Sequence, residues 1–178
     1  MKRIALLALA FCLVLVAGCS TAPTVSPDTP EPSVSPVQSY AQPSTLKSGN
    51  YSLISSIDHF EIDARGSGRY LVNIYYRVTN TGTESNRLIL YSNLTDKNGL
   101  SHGGLGVSHG GSGAQTFILD PNTTGVMRDY VTIDTERDYS SLKKGGAILD
   151  VVYVDQKAPL EPIANLTSRW TLPPSIFT

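Results

Sequence analysis

Cysteine is nearly absent from this sequence, because its two cysteines, Cys12 and Cys19, both lie within the first twenty residues. The rest of the chain can form no disulfide framework. It has to be stabilised by core packing, and a domain of this size hides roughly two-thirds of its unfolded surface on folding. We therefore expect a folded domain that requires no cofactor.

The sequence also lacks an excess of charge of either sign. Its 14 Lys and Arg residues nearly balance 15 Asp and Glu residues, and the formal net charge is −1. Proteins that bind nucleic acids or acidic lipid headgroups concentrate basic residues instead. We therefore expect no nucleic-acid partner.

Long hydrophobic runs are missing except for one, over residues 4–16. Lys2 and Arg3 precede this run, and Ala17 and Gly18 follow it, which is the layout of a signal peptide. The run is shorter than the roughly 18 apolar residues that a membrane-spanning helix needs. A permanent transmembrane helix is therefore the weaker interpretation.

The end of this run, Leu15-Val16-Ala17-Gly18-Cys19, resembles the lipobox of prokaryotic lipoproteins. The resemblance implies that the Cys19 thiol receives a diacylglyceryl group, with palmitate-type chains, and that cleavage makes Cys19 the first mature residue. Each buried methylene contributes about 0.8 kcal/mol, so two acyl chains hold a protein stably on a membrane. We expect a lipid anchor on the extracytoplasmic side of the cell membrane, with an ordinary secretory signal and an incidental cysteine as the alternative.

Large apolar residues are scarce in residues 20–49, which are rich in Pro, Ser and Thr. Such a composition cannot bury enough surface to fold, and Pro-rich chain favours an extended spacer. We therefore predict a signal peptide over residues 1–18, a lipid-anchored disordered linker over 19–49 and one folded domain over 50–178.

After the signal, no convincing stretch repeats its apolar residues at helical spacing, whereas several alternate with a period of two. In the clearest, Tyr70, Val72, Ile74, Tyr76 and Val78 share one face. Further strands, most of them separated by turn residues, are predicted at 52–62, 87–95, 115–119, 126–133, 147–155 and 166–172. About seven short strands predict an all-β fold, an antiparallel immunoglobulin-like β-sandwich.

Two of these strands have informative compositions. The near-continuous apolar run over residues 147–154 predicts a central strand. Arg128 and Asp129 interrupt the alternation of the strand at 126–133, so its inward face cannot be assigned from the pattern.

Three segments resemble the immunoglobulin-like domains of unknown function in bacterial and archaeal surface lipoproteins. They are Val78-Thr79-Asn80-Thr81-Gly82, Leu94-Thr95-Asp96-Lys97-Asn98-Gly99 and Leu119-Asp120-Pro121, and the resemblance covers most of residues 50–155. That family usually has Gly directly after the proline, whereas this chain has Asn122 and delays its glycine to Gly125. Because the shared segments are turns between strands, the resemblance implies the fold and says little about activity.

The sequence Ser-His-Gly-Gly occurs twice in the glycine-rich segment 101–113. His102 and His109 could bind Cu or Zn if a third ligand came from elsewhere, such as His59 or a carboxylate. A His-Gly-Gly segment is also found in esterase oxyanion loops, but no Gly-x-Ser-x-Gly nucleophile elbow accompanies it. We favour a third interpretation, an inter-strand loop with solvated histidines.

An acidic segment, Asp134-Thr135-Glu136-Arg137-Asp138, follows a predicted strand. Three carboxylates could contribute to a calcium site, but the EF-hand spacing and its glycine are missing, and we favour a solvated acidic turn. Asp96 and Asn98 are interpreted as turn formers rather than as metal ligands.

Three sequons are candidates for N-glycosylation, at Asn93, Asn122 and Asn165. Asn93 is expected to face outward from its strand, on the side opposite Leu94. The nine tyrosines could stack on sugars, although strand tyrosines pack more often in cores and across strands.

The sequence contains no paired acid and base, no nucleophile motif and no dense set of metal ligands. We therefore expect no enzyme but a membrane-anchored extracytoplasmic lipoprotein, acting as a non-catalytic binding or envelope-accessory module on an envelope protein or polymer. The alternative is a metal-handling lipoprotein that uses the loop of His102 and His109.

Overall fold

The computed structural model describes residues 38–103, 117–156 and 162–178. All of them belong to one compact unit within residues 33–178. The expected signal peptide, the Cys19 lipidation site and most of the expected linker lie outside the described residues.

The described residues form mainly β-strands. In chain order the strands are β1 (Gln38–Ser39), β2 (Ser44–Ser48), β3 (Tyr51–Ala64), β4 (Tyr70–Asn80), β5 (Asn86–Asp96), β6 (Ser101–Gly103), β7 (Phe117–Leu119), β8 (Thr124–Ile133), β9 (Ala147–Asp155) and β10 (Pro162–Leu172). One helix, α1 (Glu136–Gly145), connects β8 to β9, and a short 3-10 helix, Pro174–Phe177, ends the chain.

The strands form two sheets, with the orders β1-β10-β9-β5-β6 and β2-β3-β4-β8, and β7 also pairs with β5. All pairs are antiparallel except β1 with β10. The chain crosses between the sheets from β1 to β2, from β4 to β5, from β7 to β8 and from β8 to β9, and the long strands β3-β4-β8 form one layer and β10-β9-β5 the other. This is an immunoglobulin-like sandwich, as the sequence predicted. The additional strands are short pieces at the edges.

The core lies between the two sheets. The predicted inward face of β4 is confirmed, because Val72, Ile74, Tyr76 and Val78 are fully buried. The run at 147–154 is a central strand as predicted, since β9 lies between β10 and β5. Trp170 on β10 is fully buried as well.

The folded domain begins earlier than predicted, because β1 and β2 lie within the range assigned to the linker. Leu46 on β2 is 4% exposed and belongs to the core. The Trp170 Nε1 donates a hydrogen bond of 3.0 Å to the Gln42 carbonyl oxygen. The expected linker over 19–49 therefore overlaps the sandwich from residue 38 onward.

The acidic segment at 134–138 is not a turn but the start of α1, which the sequence analysis missed. Thr135 caps the helix by accepting a hydrogen bond of 3.2 Å from the Asp138 backbone nitrogen. Glu136 and Asp138 in the first turn suit the positive end of the helix dipole. Within the described residues, no helix has the length and apolar character that crossing a membrane requires.

The inward face of β8, which the pattern left open, carries Met127, Asp129, Val131 and Ile133. Asp129 interrupts an otherwise apolar face. Its carboxylate is therefore enclosed by the sandwich, and Arg128 points to solvent.

Candidate functional site

A cleft of about 370 Å³ opens at one end of the sandwich. It is formed where the β2–β3 turn, the β4–β5 loop with the start of β5, and the end of β9 meet. Its lining residues are Gly49, Asn50, Tyr51, Glu84, Ser85, Asn86, Arg87 and Asp155. Sequence analysis did not identify this cleft.

Asn80, at the end of β4, holds one wall of the cleft. Its side chain is fully buried, and its Nδ2 donates hydrogen bonds to the carbonyl oxygens of Glu84, at 2.7 Å, and Leu119, at 2.9 Å. Its Oδ1 accepts a hydrogen bond of 2.9 Å from the Gly82 backbone nitrogen. The β4–β5 loop is thereby fixed from both ends, and Glu84 is held at the cleft.

Two further contacts tie the loop to its neighbours. The Thr81 backbone nitrogen donates to the Ser52 carbonyl oxygen at 2.8 Å, which joins the loop to β3. The Ser85 hydroxyl donates to the Asp120 Oδ1 at 2.6 Å, which joins it to the β7–β8 turn. The cleft is therefore largely pre-formed, as most ligand sites are.

Tyr51 and Asp155 form one side of the cleft, where the phenol hydroxyl donates a hydrogen bond to the Asp155 Oδ2. Burial, this hydrogen bond and the negative charges of Asp155 and Glu84 raise the pKa of Tyr51 to about 12. The phenol therefore remains protonated at neutral pH and keeps its proton directed at Asp155.

Three other polar groups of the cleft have no such partner. Asn86 is 5% exposed, and its buried Nδ2 has no hydrogen-bond acceptor among the described residues. Within the described residues, the carboxylate of Glu84 and the guanidinium of Arg87 form no hydrogen bond or ion pair, although both are exposed. The carboxylate of Glu84 and the guanidinium of Arg87 are thus available to a ligand, whereas the Asn86 Nδ2 is enclosed by protein.

The histidine loop is only partly described. Contrary to the solvated loop that we favoured, Ser101–Gly103 forms β6, and His102 is 8% exposed opposite Leu94 of β5. Its Nε2 is buried and has no hydrogen-bond partner in the part of the chain that the structure describes. His109 lies outside the described residues, so metal binding by His102 and His109 stays a prediction.

His59, which was considered as a further ligand, lies on β3 in the other sheet. Its ring stacks on Tyr75 with 4.1 Å between ring centroids, and its Nδ1 lies 3.0 Å from the Asp58 carboxylate. Across the described ranges, no three His, Cys, Asp or Glu side chains are grouped closely enough to hold a metal ion.

A polar chain crosses the core near the middle of β5. Between Leu88, which pairs with β7, and Asn93, which pairs with β6, this edge of β5 has no strand partner among the described residues. There the Ser92 backbone nitrogen donates to the Asp129 Oδ2 at 2.7 Å, and the Ser92 hydroxyl lies 2.7 Å from the Tyr76 hydroxyl. The buried carboxylate therefore replaces a missing strand partner and has a structural role.

Asp96 and Asn98 act as turn formers, in agreement with the interpretation of the sequence. The Asp96 Oδ1 accepts hydrogen bonds from the backbone nitrogens of Asn98, at 2.8 Å, and Leu100, at 2.9 Å. The Ser141 hydroxyl donates to the Asp96 Oδ2 at 2.6 Å, which joins this turn to α1.

The sequons lie in different settings. Asn93 is half-buried on β5, and its Nδ2 donates to the Ser101 hydroxyl at 2.7 Å. Asn122 is exposed in the turn between β7 and β8, and Asn165 lies on β10. Glycosylation at all three stays a prediction.

No protein-family model matches the chain, and no curated protein matches it either. Among solved structures, it is similar to an uncharacterised β-sandwich protein of Clostridium difficile, with 12% identity, coverage of 81% of this chain and 99% of that one, and a TM-score of 0.43. It is also similar to ycdA of Bacillus subtilis, a candidate lipoprotein, with 12% identity, coverage of 70% of this chain and 38% of that one, and a TM-score of 0.39. A third similar structure is a glycosyl hydrolase family 2 member of Bacteroides cellulosilyticus, with 12% identity, coverage of 67% of this chain and 16% of that one, and a TM-score of 0.40. These likenesses extend to the β-sandwich fold and no further.

Proposed function

We propose that this chain is a lipid-anchored extracytoplasmic module that binds a ligand in the end cleft and catalyses no reaction. The observation that carries the proposal is the pre-formed cleft with its uncommitted groups. The Glu84 carboxylate and the Arg87 guanidinium line it and, within the described residues, form no hydrogen bond or ion pair. A largely pre-formed cleft with a few convergent polar groups is the usual form of a ligand site.

The chemistry of the lining residues favours binding over catalysis. Among the described lining residues there is no His, Lys or Cys, the usual partners that activate a nucleophile. The Ser85 hydroxyl is committed to Asp120, and the raised pKa of Tyr51 keeps its phenol protonated. The described lining residues therefore offer hydrogen-bonding groups rather than an activated nucleophile.

The anchor in this proposal rests on the resemblance of residues 15–19 to a lipobox. Residues 19–37 precede the first strand, and nineteen residues of extended Pro-rich chain span roughly 60 Å at about 3.1 Å per residue. A tether of that length would let the cleft reach an envelope protein or polymer away from the membrane surface.

Photo-crosslinking in intact cells tests the proposal. Benzoylphenylalanine replaces Thr83, an exposed residue beside Glu84, or in the control Arg65, an exposed residue near the β3–β4 turn at the opposite end of the sandwich. We expect reproducible adducts from position 83 and none of the same mass from position 65. Equal adduct patterns at the two positions, or no adduct at position 83, would contradict a ligand at this end.

A further inference from the structure

We infer that His59 and Glu61, on the solvent face of β3, form an open binding site for a divalent transition-metal ion such as Cu²⁺ or Zn²⁺. The site lies on the outer face of the β2-β3-β4-β8 sheet, and none of the described residues that line the end cleft belongs to it. It therefore goes beyond the proposed function, and neither site requires the other.

An irregularity in β3 places two consecutive side chains on the solvent face. The register against β4 shifts between Ile57 and His59, as it does at a β-bulge, a feature over-represented next to active sites. Ile57 and Phe60 pack against the core, whereas Asp58 and His59 between them are exposed. In a regular strand two consecutive side chains point to opposite faces. The bulge therefore allows the Asp58 carboxylate to reach the His59 ring.

The two ring nitrogens of His59 have different surroundings. A carboxylate only accepts hydrogen bonds, so the His59 Nδ1, 3.0 Å from the Asp58 Oδ2, carries the proton of this contact. The Nε2 lies 3.9 Å from the Glu61 Oε1, which is too long for a hydrogen bond. In the neutral imidazole, Nε2 is then the nitrogen with a free lone pair. Metal-binding histidines are usually held in this way, with the other ring nitrogen donating to a carboxylate.

Glu61 is directed to the same point. It follows His59 by two residues, so both side chains share one face of the strand. Its Oε2 accepts a hydrogen bond of 2.7 Å from the Tyr75 hydroxyl, which leaves Oε1 toward His59. The Tyr75 ring also stacks on the His59 ring, with 4.1 Å between centroids and 11° between planes. Tyr75 is therefore a positioning residue for both ligands.

Asp58 is held in place from its other side. The Arg77 Nε donates a hydrogen bond of 3.1 Å to the Asp58 Oδ1, and the Arg77 Nη2 donates to the same oxygen. The second oxygen of the carboxylate is the one that contacts His59. Such outer partners of a metal ligand typically change metal affinity by about 10–100-fold. The arrangement thus supplies the support that a metal-binding imidazole needs.

The separation of the two ligand atoms suits a shared metal ion. Zn²⁺ lies about 2.0–2.1 Å from an imidazole nitrogen and about 2.0–2.2 Å from a carboxylate oxygen. Two such atoms at a tetrahedral angle lie about 3.4 Å apart, so a movement of about 0.5 Å by the exposed Glu61 side chain is sufficient. A nitrogen and oxygen pair suits Cu²⁺ and Zn²⁺, whereas Ca²⁺ and Mg²⁺ take oxygen ligands.

The site keeps open coordination positions. The side chains of His59 and Glu61 are 48% and 55% exposed. Within the described residues, no third His, Cys, Asp or Glu completes a ligand set, so water fills the remaining positions. Two protein ligands bind an ion weakly and exchangeably, and we expect a Kd on the order of 10 µM for Cu²⁺ and a weaker one for Zn²⁺.

Electron paramagnetic resonance of the full chain titrated with CuCl₂ tests the inference. The detergent-solubilised protein is kept at about pH 7.5 in a non-coordinating buffer, because neutral imidazole is the form that binds a metal. Coupling of the copper electron to a ring nitrogen identifies histidine as a ligand and distinguishes it from a thiol. Equilibrium dialysis against CuCl₂, ZnCl₂ and CaCl₂ gives the Kd values, and we expect no Ca²⁺ at this site.

Variants assign the signal to the site. Of the three histidines of the chain, His59 should be the one whose replacement, His59→Asn, abolishes the nitrogen coupling. Glu61→Gln should raise the Kd of Cu²⁺ at least about tenfold, because a charged ligand is lost. Tyr75→Phe keeps the stacked ring and should raise the Kd by less. The matched control Asp134→Asn alters a carboxylate that is 71% exposed beyond the end of β8 and should leave the Kd unchanged.

The inference is overturned if the nitrogen coupling survives in His59→Asn, if Glu61→Gln binds Cu²⁺ as tightly as the unaltered chain, or if Ca²⁺ binds as tightly as Cu²⁺. Loss of the coupling in His109→Asn instead would assign the ion to the histidine loop. Absence of metal binding would leave His59 in a surface ion-pair network with Asp58 and Glu61. Because His59 and Glu61 are exposed, both variants should fold, and unchanged circular dichroism verifies this.

Discussion

Asp96 and Asp129 are both nearly buried, yet their pKa values move in opposite directions. Burial raises the pKa of Asp129, at 9% exposed, and the hydrogen bonds from Ser92 and Tyr130 offset this only in part. Burial alone would also raise the pKa of Asp96. Hydrogen bonds from Ser141, Leu100 and Asn98 outweigh this effect, so the pKa of Asp96 is lowered. The number and quality of hydrogen bonds to the carboxylate decide the sign.

This contrast predicts opposite pH dependences of stability. The folded state of the unaltered chain binds more protons at Asp129 than the unfolded state does, so this residue destabilises the protein as pH rises from the unfolded pKa of 3.8 through the raised folded value. Asp129→Asn should therefore gain stability relative to the unaltered chain as pH rises above 3.8 through the raised folded pKa of Asp129. Urea unfolding followed by Trp170 fluorescence at several pH values measures the difference.

Asp96→Asn is the control with the opposite sign. The stability contributed by a lowered pKa is present above the unfolded value and is lost as pH falls through the folded pKa. The deficit of Asp96→Asn should therefore grow with rising pH. If the two variants differ from the unaltered chain by amounts that do not change with pH, this account of both carboxylates is wrong.

Asn122 follows Pro121 at the position where the immunoglobulin-like domains that the sequence resembles usually have Gly. Its φ of 59° lies in the left-handed region, and the Thr123 backbone nitrogen donates to the Asp120 carbonyl oxygen at 3.1 Å, which closes a turn. Asn tolerates this region better than most residues other than Gly. Asn122 therefore adopts here a conformation that favours Gly.

The burial of Asp129 and of His102 could not be predicted from the sequence. The pattern could not orient β8, because the reason for burying Asp129 lies on β5, where the edge of Ser92 that faces away from β9 has no strand partner among the described residues. The burial of His102 likewise depends on β6 pairing with β5. Both facts are tertiary, and neither is encoded in the local pattern.

At the scale of elements, the junction between α1 and β9 depends on Gly146. Its backbone has φ 70° and ψ −163°, a region essentially restricted to Gly, and its nitrogen donates to the Leu142 carbonyl oxygen at 2.8 Å. A Cβ at this position would lie 2.2 Å from the Leu172 carbonyl oxygen. Backbone from β10 therefore occupies the space of any side chain.

We expect Gly146→Ala to reduce the free energy of unfolding by at least about 3 kcal/mol, because backbone strain and the clash with Leu172 add together. Gly99→Ala is the matched variant, since Gly99 also has positive φ, 81°, but nothing within 4 Å of a Cβ. It should cost about 1–2 kcal/mol from the backbone alone. Chemical denaturation of both variants measures the difference, and equal losses would show that the Leu172 contact is relieved without cost.

Strands with a strong pattern were predicted well, and those that depend on context were not. The bounds of β9 agree with the prediction because its apolar run ends at turn residues on both sides. In α1, Tyr139 and Leu142 are the buried residues, and two positions are too few to display helical periodicity. In β2, the sequence Ser-Thr-Leu-Lys-Ser continues the composition of the linker and becomes a strand by pairing with β3.

At the scale of the whole molecule, the cleft could not have been predicted from the sequence. Its lining residues are separated along the chain by more than thirty positions between Tyr51 and Glu84 and by about seventy between Glu84 and Asp155. None belongs to a recognisable motif. They meet because antiparallel pairing brings the start of β3, the end of β4 and the end of β9 to the same end of the sandwich.

The proposed anchor also predicts where the whole chain resides in the cell. Cys19→Ser removes the thiol that would carry the diacylglyceryl group, so the protein should lose radiolabelled palmitate and leave the membrane fraction. Cys12→Ser, within the hydrophobic run, is the matched control and should keep both properties. Retention of Cys19→Ser in membranes, with residues 1–18 still attached, would favour the transmembrane alternative instead.

The entry of the chain into the sandwich has a mechanical consequence. β1 runs parallel to β10, and its Gln38 and Ser39 pair with Trp170 and Thr171. A pulling force on the chain ahead of Gln38 acts along these strands, so their hydrogen bonds would be sheared together rather than unzipped in turn. Trp170 also donates a hydrogen bond to the Gln42 carbonyl oxygen, and it is the single tryptophan of the chain. Its fluorescence therefore reports whether β1 remains paired with β10 under tension.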